Sequence, residues 1–123
     1  MEYSTFGRHI IVDLWGVDFS LLNNVHFLEH HLIDAANRSG THVLNVSNKE
    51  FHPYGVTVLL LLSESHLSIH TYPEKKFAAI DCYTCGTSVD PQEAINSIIS
   101  VLKPERMHIK KLIRGVGEFV TIN

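Results

Sequence analysis

No apolar run in this chain outlasts Val58–Leu62, far short of the roughly 20 residues that carry a helix across a bilayer. A block of lysine or arginine is missing too. The 10 basic residues are scattered against 13 acidic ones, leaving a net charge of −3, which excludes the clustered basic face of a nucleic-acid binder. Cysteine is down to two residues, Cys82 and Cys85, too few for a disulfide framework, and a reducing compartment would leave both as thiols. The opening MEYSTFGRHI has an acidic second residue and no apolar segment ahead of a small-residue cleavage site, so no secretion signal is read and the cytoplasm is expected. A repeat of fixed period, a low-complexity tract and a linker are all lacking. What remains is one domain over 1–123, of ordinary globular composition and of the size at which compact domains cluster. Its partner is expected to be a small molecule or another protein, not nucleic acid or membrane.

Ile10, Ile11, Val12, Leu14 and Trp15, between Gly7 and Gly16, predict a first strand. Leu21, Leu22, Val25, Leu28, Leu32, Ile33 and Ala36 recur at helical spacing and predict one amphipathic helix, capped by Asp18 or Ser20 and stopped at Gly40. The segments 41–51 and 54–63 read as an antiparallel pair joined across His52 and Pro53. Two further strands, 66–72 and 76–85, are linked by a turn around Pro73 and Glu74. Asp90 as N-cap, Pro91 at the first helical position and Glu93 three residues after the cap open a second helix. Ala94, Ile95, Ile98, Ile99 and Leu102 form its apolar face, Pro104 ends it, and 106–115 supplies a last strand. Strands that succeed one another directly predict an α+β two-layer sandwich, a mainly antiparallel sheet with two helices on one face. A second copy of the chain, in a symmetric dimer, would complete the sheet's other face or its edges.

Nine histidines in 123 residues are the unusual count. HFLEH (26–30) matches a zinc-peptidase pattern, with His26 and His30 on one helix face. Both fall on the polar flank of the helix and no third ligand is identifiable, so a solvated face is read and no metal is expected. Cys82 and Cys85 have opposite parity on one strand and point to opposite faces; one is then core and the other, Cys85 beside Gly86, is the candidate thiol. In 66–72, Leu67, Ile69 and Thr71 lie on one side and His66, Ser68, His70 and Tyr72 on the other. A strand with one wet face explains this parity as well as a site does. The polar break at Ser63, Glu64 and Ser65 favours the site.

Three segments in order, FHPYGVT (51–57), LSESHLSIHTYPE (62–74) and FAAIDCYTCG (77–86), resemble the bacterial and archaeal S-adenosylmethionine decarboxylases, proenzymes that cut themselves. The resemblance runs from about Gly7 to Gly86 and continues more loosely through the helix at 90–103. It implies that Ser65 attacks the carbonyl carbon of Glu64, turning the peptide bond into an ester. Elimination and hydrolysis then leave a pyruvoyl group in place of Ser65 and two chains, 1–64 (beta) and 65–123 (alpha). A serine hydroxyl needs a base for this; the resemblance implies His70, with the adjacent His66 as competitor. Parity sets 65 and 70 on opposite sides, unless Ser65 lies in the turn before the strand.

The implied cofactor is the pyruvoyl ketone, which forms a Schiff base with the substrate amine and accepts the electrons released as CO₂ leaves, with no metal and no pyridoxal phosphate. Cys85 is the implied proton donor to Cα, a thiol with an ordinary pKa of about 8.5 being protonated at neutral pH. Phe51 and Tyr72 match the adenine-stacking positions, Thr57 a hydroxyl that assists processing, and Glu74 a ribose or charge contact. The resemblance also implies that the product is the aminopropyl donor for spermidine and that the protomers pair with active sites near the interface. Three other readings stay open: the same chemistry on arginine or ornithine, a non-enzymatic α+β dimerisation module, and a metal-dependent hydrolase built on His26 and His30.

Overall fold

The computed structural model describes residues 5–63, 65–87 and 89–122; the expectation placed on Glu64 lies outside them. Its elements are β1 (Gly7–Trp15), α1 (Phe19–Leu22), α2 (Val25–Arg38), β2 (Val43–Glu50), β3 (Val56–Leu62), β4 (Ser65–Tyr72), a 3₁₀ turn (Pro73–Lys75), β5 (Phe77–Cys85), α3 (Pro91–Leu102), β6 (Arg106–Arg114) and β7 (Val120–Ile122). The strands make one sheet in the order β2-β3-β4-β5-β1-β6-β7, and every neighbouring pair is antiparallel. No helix among the described residues is long and apolar enough to cross a membrane.

Strand parity builds the core. Ile10, Val12 and Leu14 of β1, Val56, Val58, Leu60 and Leu62 of β3, Leu67 and Ile69 of β4, and Ala78, Ile80 and Cys82 of β5 share one face and are buried. Against them lie Leu28, Leu32 and Ala35 of α2 and Ala94, Ile95, Ile98 and Leu102 of α3, the stripes expected from their 3.6-residue spacing. The α+β sandwich with both main helices on one face is therefore as expected.

Three local expectations change. The single helix after Asp18 is two: Asp18 caps α1, and Asn24 Oδ1 accepts the Phe27 backbone N–H at 3.0 Å to start α2. Two successive asparagines break the helix because their side chains bond backbone groups directly; Asn23 Oδ1 accepts the Gly55 N–H at 3.1 Å. The chain end adds β7, three residues too short to register as a strand by pattern. Ser65 is not in the turn but is the first residue of β4, paired with Leu62 and Thr84.

The β2–β3 connection is drawn tight by Phe51 N–H donating to Gly55 O at 2.8 Å, across a cis His52–Pro53 peptide. Gly55 has φ +112°, and a Cβ there would sit 3.3 Å from the Thr71 carbonyl oxygen, so glycine is required. On the sheet face away from the helices, Ile11, Leu59 and Leu61 are 42%, 46% and 55% exposed.

Candidate active site

Two groups of side chains stand at opposite ends of the β4–β5 pair. At the Tyr72 end, Phe51, Tyr54, Thr57, His70, Tyr72 and Glu74 line an open cavity of about 380 Å³. The turn that Gly55 permits delivers Phe51 and Tyr54, and cross-strand pairing sets Thr57 opposite His70, with Thr57 Oγ1 3.0 Å from His70 Nδ1. Thr71, on the other face, donates to Leu22 O at 2.7 Å and accepts the Val56 N–H at 2.9 Å, fastening this end of β4 to α1 and β3. The five residues expected to serve binding and processing here thus share one cavity. Tyr54 was missed, although it is an aromatic inside the same FHPYGVT segment.

At the other end, Ser65 Oγ donates to Ser63 O at 3.2 Å. Cys85 closes β5, exposed, while Cys82 is buried. Burial, with the Asp81 charge adding to it, pushes the Cys82 thiol up to about 12, which leaves it inert. Burial, then the negative charge and hydrogen bond of neighbouring Cys85, raise the Tyr83 phenol above its usual value, with Arg114 acting against them. Ser65 and His70 are not brought together within one protomer. Five residues of strand separate them by about 17 Å, and their odd difference in number puts them on opposite faces. Because Ser65 is in the strand, the parity objection stands.

Between these ends lies a third group that the sequence did not single out. Asp81 Oδ2 accepts from His9 Nε2 at 2.7 Å and from His66 Nε2 at 3.1 Å, and Ser68 Oγ donates to Oδ1. Burial acts to raise the Asp81 pKa, but the hydrogen bonds from Ser68, His9 and His66 together outweigh it and hold the carboxyl below its ordinary value. Arg114 Nη1 lies 3.1 Å from His9 Nδ1, and its guanidinium sits 5.1 Å from the Tyr83 ring centre. Parity along β5 could have revealed Asp81, since 81 faces 66 and 68 across the pair; Arg114, from β6, left no local signal.

The ligating atoms of His9, His66 and Asp81 lie within 4.8 Å of one another, the one such group among the described residues. A neutral imidazole bound to metal through Nε2 carries its proton on Nδ1, where His9 instead meets the Arg114 donor. The group is therefore suited to hydrogen bonding, not chelation. His26 and His30 are exposed on α2 and join no such group among the described residues.

An antiparallel sheet covered by helices on one face, with titratable side chains and an aromatic cavity gathered on the other, defines an α+β enzyme. Residues 8–115 match the family described as S-adenosylmethionine decarboxylase, and the chain belongs to that family. It is 78% identical to S-adenosylmethionine decarboxylase proenzyme 2 of Bacillus cereus, covering 98% of each chain. It is 62% identical to the S-adenosylmethionine decarboxylase proenzyme of Brevibacillus brevis, over 99% of this chain and 92% of that one. The crystal structure of the adenosylmethionine decarboxylase from Aquifex aeolicus superposes with a TM-score of 0.86 at 34% identity, covering 94% of this chain and 96% of the other.

Proposed function

We propose that this enzyme of the S-adenosylmethionine decarboxylase family is a pyruvoyl enzyme that matures by cutting itself between Glu64 and Ser65. It then converts S-adenosylmethionine to the aminopropyl donor for spermidine, in the cytoplasm. The observation that carries this reading is the convergence of Phe51, Thr57, His70, Tyr72 and Glu74 on one cavity. Two aromatic rings suit a flat purine and a sulfonium cation, and Glu74 suits a ribose or a positive charge.

Ser65 fits the origin of the prosthetic group. Its hydroxyl is turned back along the chain toward Ser63 O, and a cut before the first residue of β4 leaves the rest of the strand's pairing in place. The pyruvoyl ketone, once present, supplies the electron sink for loss of CO₂. The other roles fall to ordinary side chains. Thr57 holds His70 through Nδ1, leaving Nε2 to take a proton during processing. Cys85, exposed at the end of β5, returns a proton to the substrate Cα.

One protomer keeps its two ends apart, so the reading requires a second. A two-fold axis between packed open faces, perpendicular to the strands, sets the strand end that carries Cys85 and the backbone of Ser65 over the His70 and Tyr72 end of the other copy. It also covers Ile11, Leu59 and Leu61 and excludes water from the reacting groups. Intact-mass spectrometry tests the maturation: the purified protein should give pieces of 64 and 59 residues, the second blocked at its N-terminus, and Ser65→Ala should give one piece. A wild-type chain that stays whole yet releases CO₂ from S-adenosylmethionine overturns the reading. Faster turnover of arginine or ornithine overturns the substrate.

A further inference from the structure

We propose that Asp81 is a positioning residue for the chemistry at Ser65: it fixes the orientation of the His66 imidazole, with Nε2–H toward the carboxylate, beside the future reactive terminus. The inference rests on the self-cleaving reading above.

A carboxylate only accepts hydrogen bonds, so both histidine Nε2 atoms that approach Asp81 Oδ2 carry protons. Arg114 can only donate, so His9 Nδ1, 3.1 Å from it, is unprotonated and His9 is neutral. His9 thus fills its place beside Asp81 without adding charge, and Ser68 satisfies the remaining oxygen. His66 is held on a second side. Its ring lies nearly parallel to Tyr83, 28° between planes and 6.2 Å between centroids, while His9 meets both rings edge-on. Three residues touch the His66 imidazole, His9 of β1 and Asp81 and Tyr83 of β5; Ser68 of β4 in turn holds Asp81, and Arg114 of β6 holds His9. Asp13 and His70 face the same side of the sheet and line a shallow cavity of about 320 Å³ with Asp81 and His9.

The place matters because His66 directly follows Ser65 and pairs with Tyr83, two residues before Cys85. Once the chain is cut, the amide of His66 is the only covalent tether of the new terminus. An imidazole locked beside that tether limits how the terminal group can turn. Such a lock acts on the reaction and not on adenine stacking, which falls to Phe51 and Tyr72.

The test uses the cleaved dimer, with steady-state kinetics per active site and ¹⁵N imidazole spectra. Asp81→Ala should lower kcat roughly ten- to hundredfold with KM nearly unchanged, and should move His66 from pure Nε2–H to a mixture with Nδ1–H. Asp81→Asn should restore most of kcat, because the amide oxygen still accepts from His66 while its NH₂ donates to Ser68. His66→Phe keeps the stacking on Tyr83 and should match the loss seen in Asp81→Ala; this variant decides the matter if Asp81→Ala does not fold. A kcat within about twofold of wild type in His66→Phe, an unchanged His66 tautomer in Asp81→Ala, or a loss that falls on KM instead overturns the proposal. A wild-type chain that is never cut fails the earlier reading; a cut, active wild type with indifferent variants fails this one alone.

Discussion

Two cysteines three positions apart differ in everything that governs a thiol. Cys82 is packed among Ile80, Leu67 and the helices, its proton held to about pH 12, and Cys85 stands exposed at the strand end. Native protein should therefore show one thiol reacting rapidly with a disulfide reagent at pH 8 and the second only in denaturant. Cys85→Ala should abolish the fast phase, and a fast phase that survives that substitution contradicts the assignment. At this scale much was legible, because period-2 alternation tells inward from outward residues without any tertiary knowledge. The sorting of Leu67, Ile69 and Thr71 from His66, Ser68, His70 and Tyr72 follows from it. Asp81 needed a second step, the pairing of two strands, and Arg114 a third, the arrival of β6 beside β1. Contacts made by sheet order leave no mark on local sequence.

Among the elements, caps and breaks decide more than periodicity. α3 begins where Asp90 and Pro91 place it, a signal carried wholly by adjacent residues. The segment after Asp18 keeps its apolar spacing across Asn23 and Asn24, so periodicity alone joined two helices that side-chain hydrogen bonds separate. Asn24→Ala removes the acceptor for the Phe27 N–H and should cost about 1 kcal/mol, read as a lower urea midpoint with unchanged slope; an unchanged midpoint contradicts the capping role. The start of β4 is the element boundary with the largest consequence. Ser65 reads as a turn residue because it follows Ser63 and Glu64 in a polar break, yet it pairs with both Leu62 and Thr84. Hydrogen bonding to two neighbouring strands overrides its weak strand propensity, and this fixes the serine on the face opposite His70.

At the scale of the whole molecule, that boundary and the length of β4 put one demand on the proposed function: the residues it assigns to a single site lie at two ends of a sheet. The apolar residues on its open face give the same answer, since Ile11, Leu59 and Leu61 gain most from a partner that covers them. The central claim is that each site draws its thiol and its ketone from one copy and its aromatic cavity from the other. Co-expression of a Cys85→Ala chain with a Tyr72→Ala chain tests it most directly, with decarboxylation measured on the mixture. If the two ends meet across the dimer, half of the randomly paired dimers hold one intact site of two, and activity should recover to about a quarter of wild type while each variant alone stays low. Activity of the mixture no higher than the average of the two variants would contradict the account.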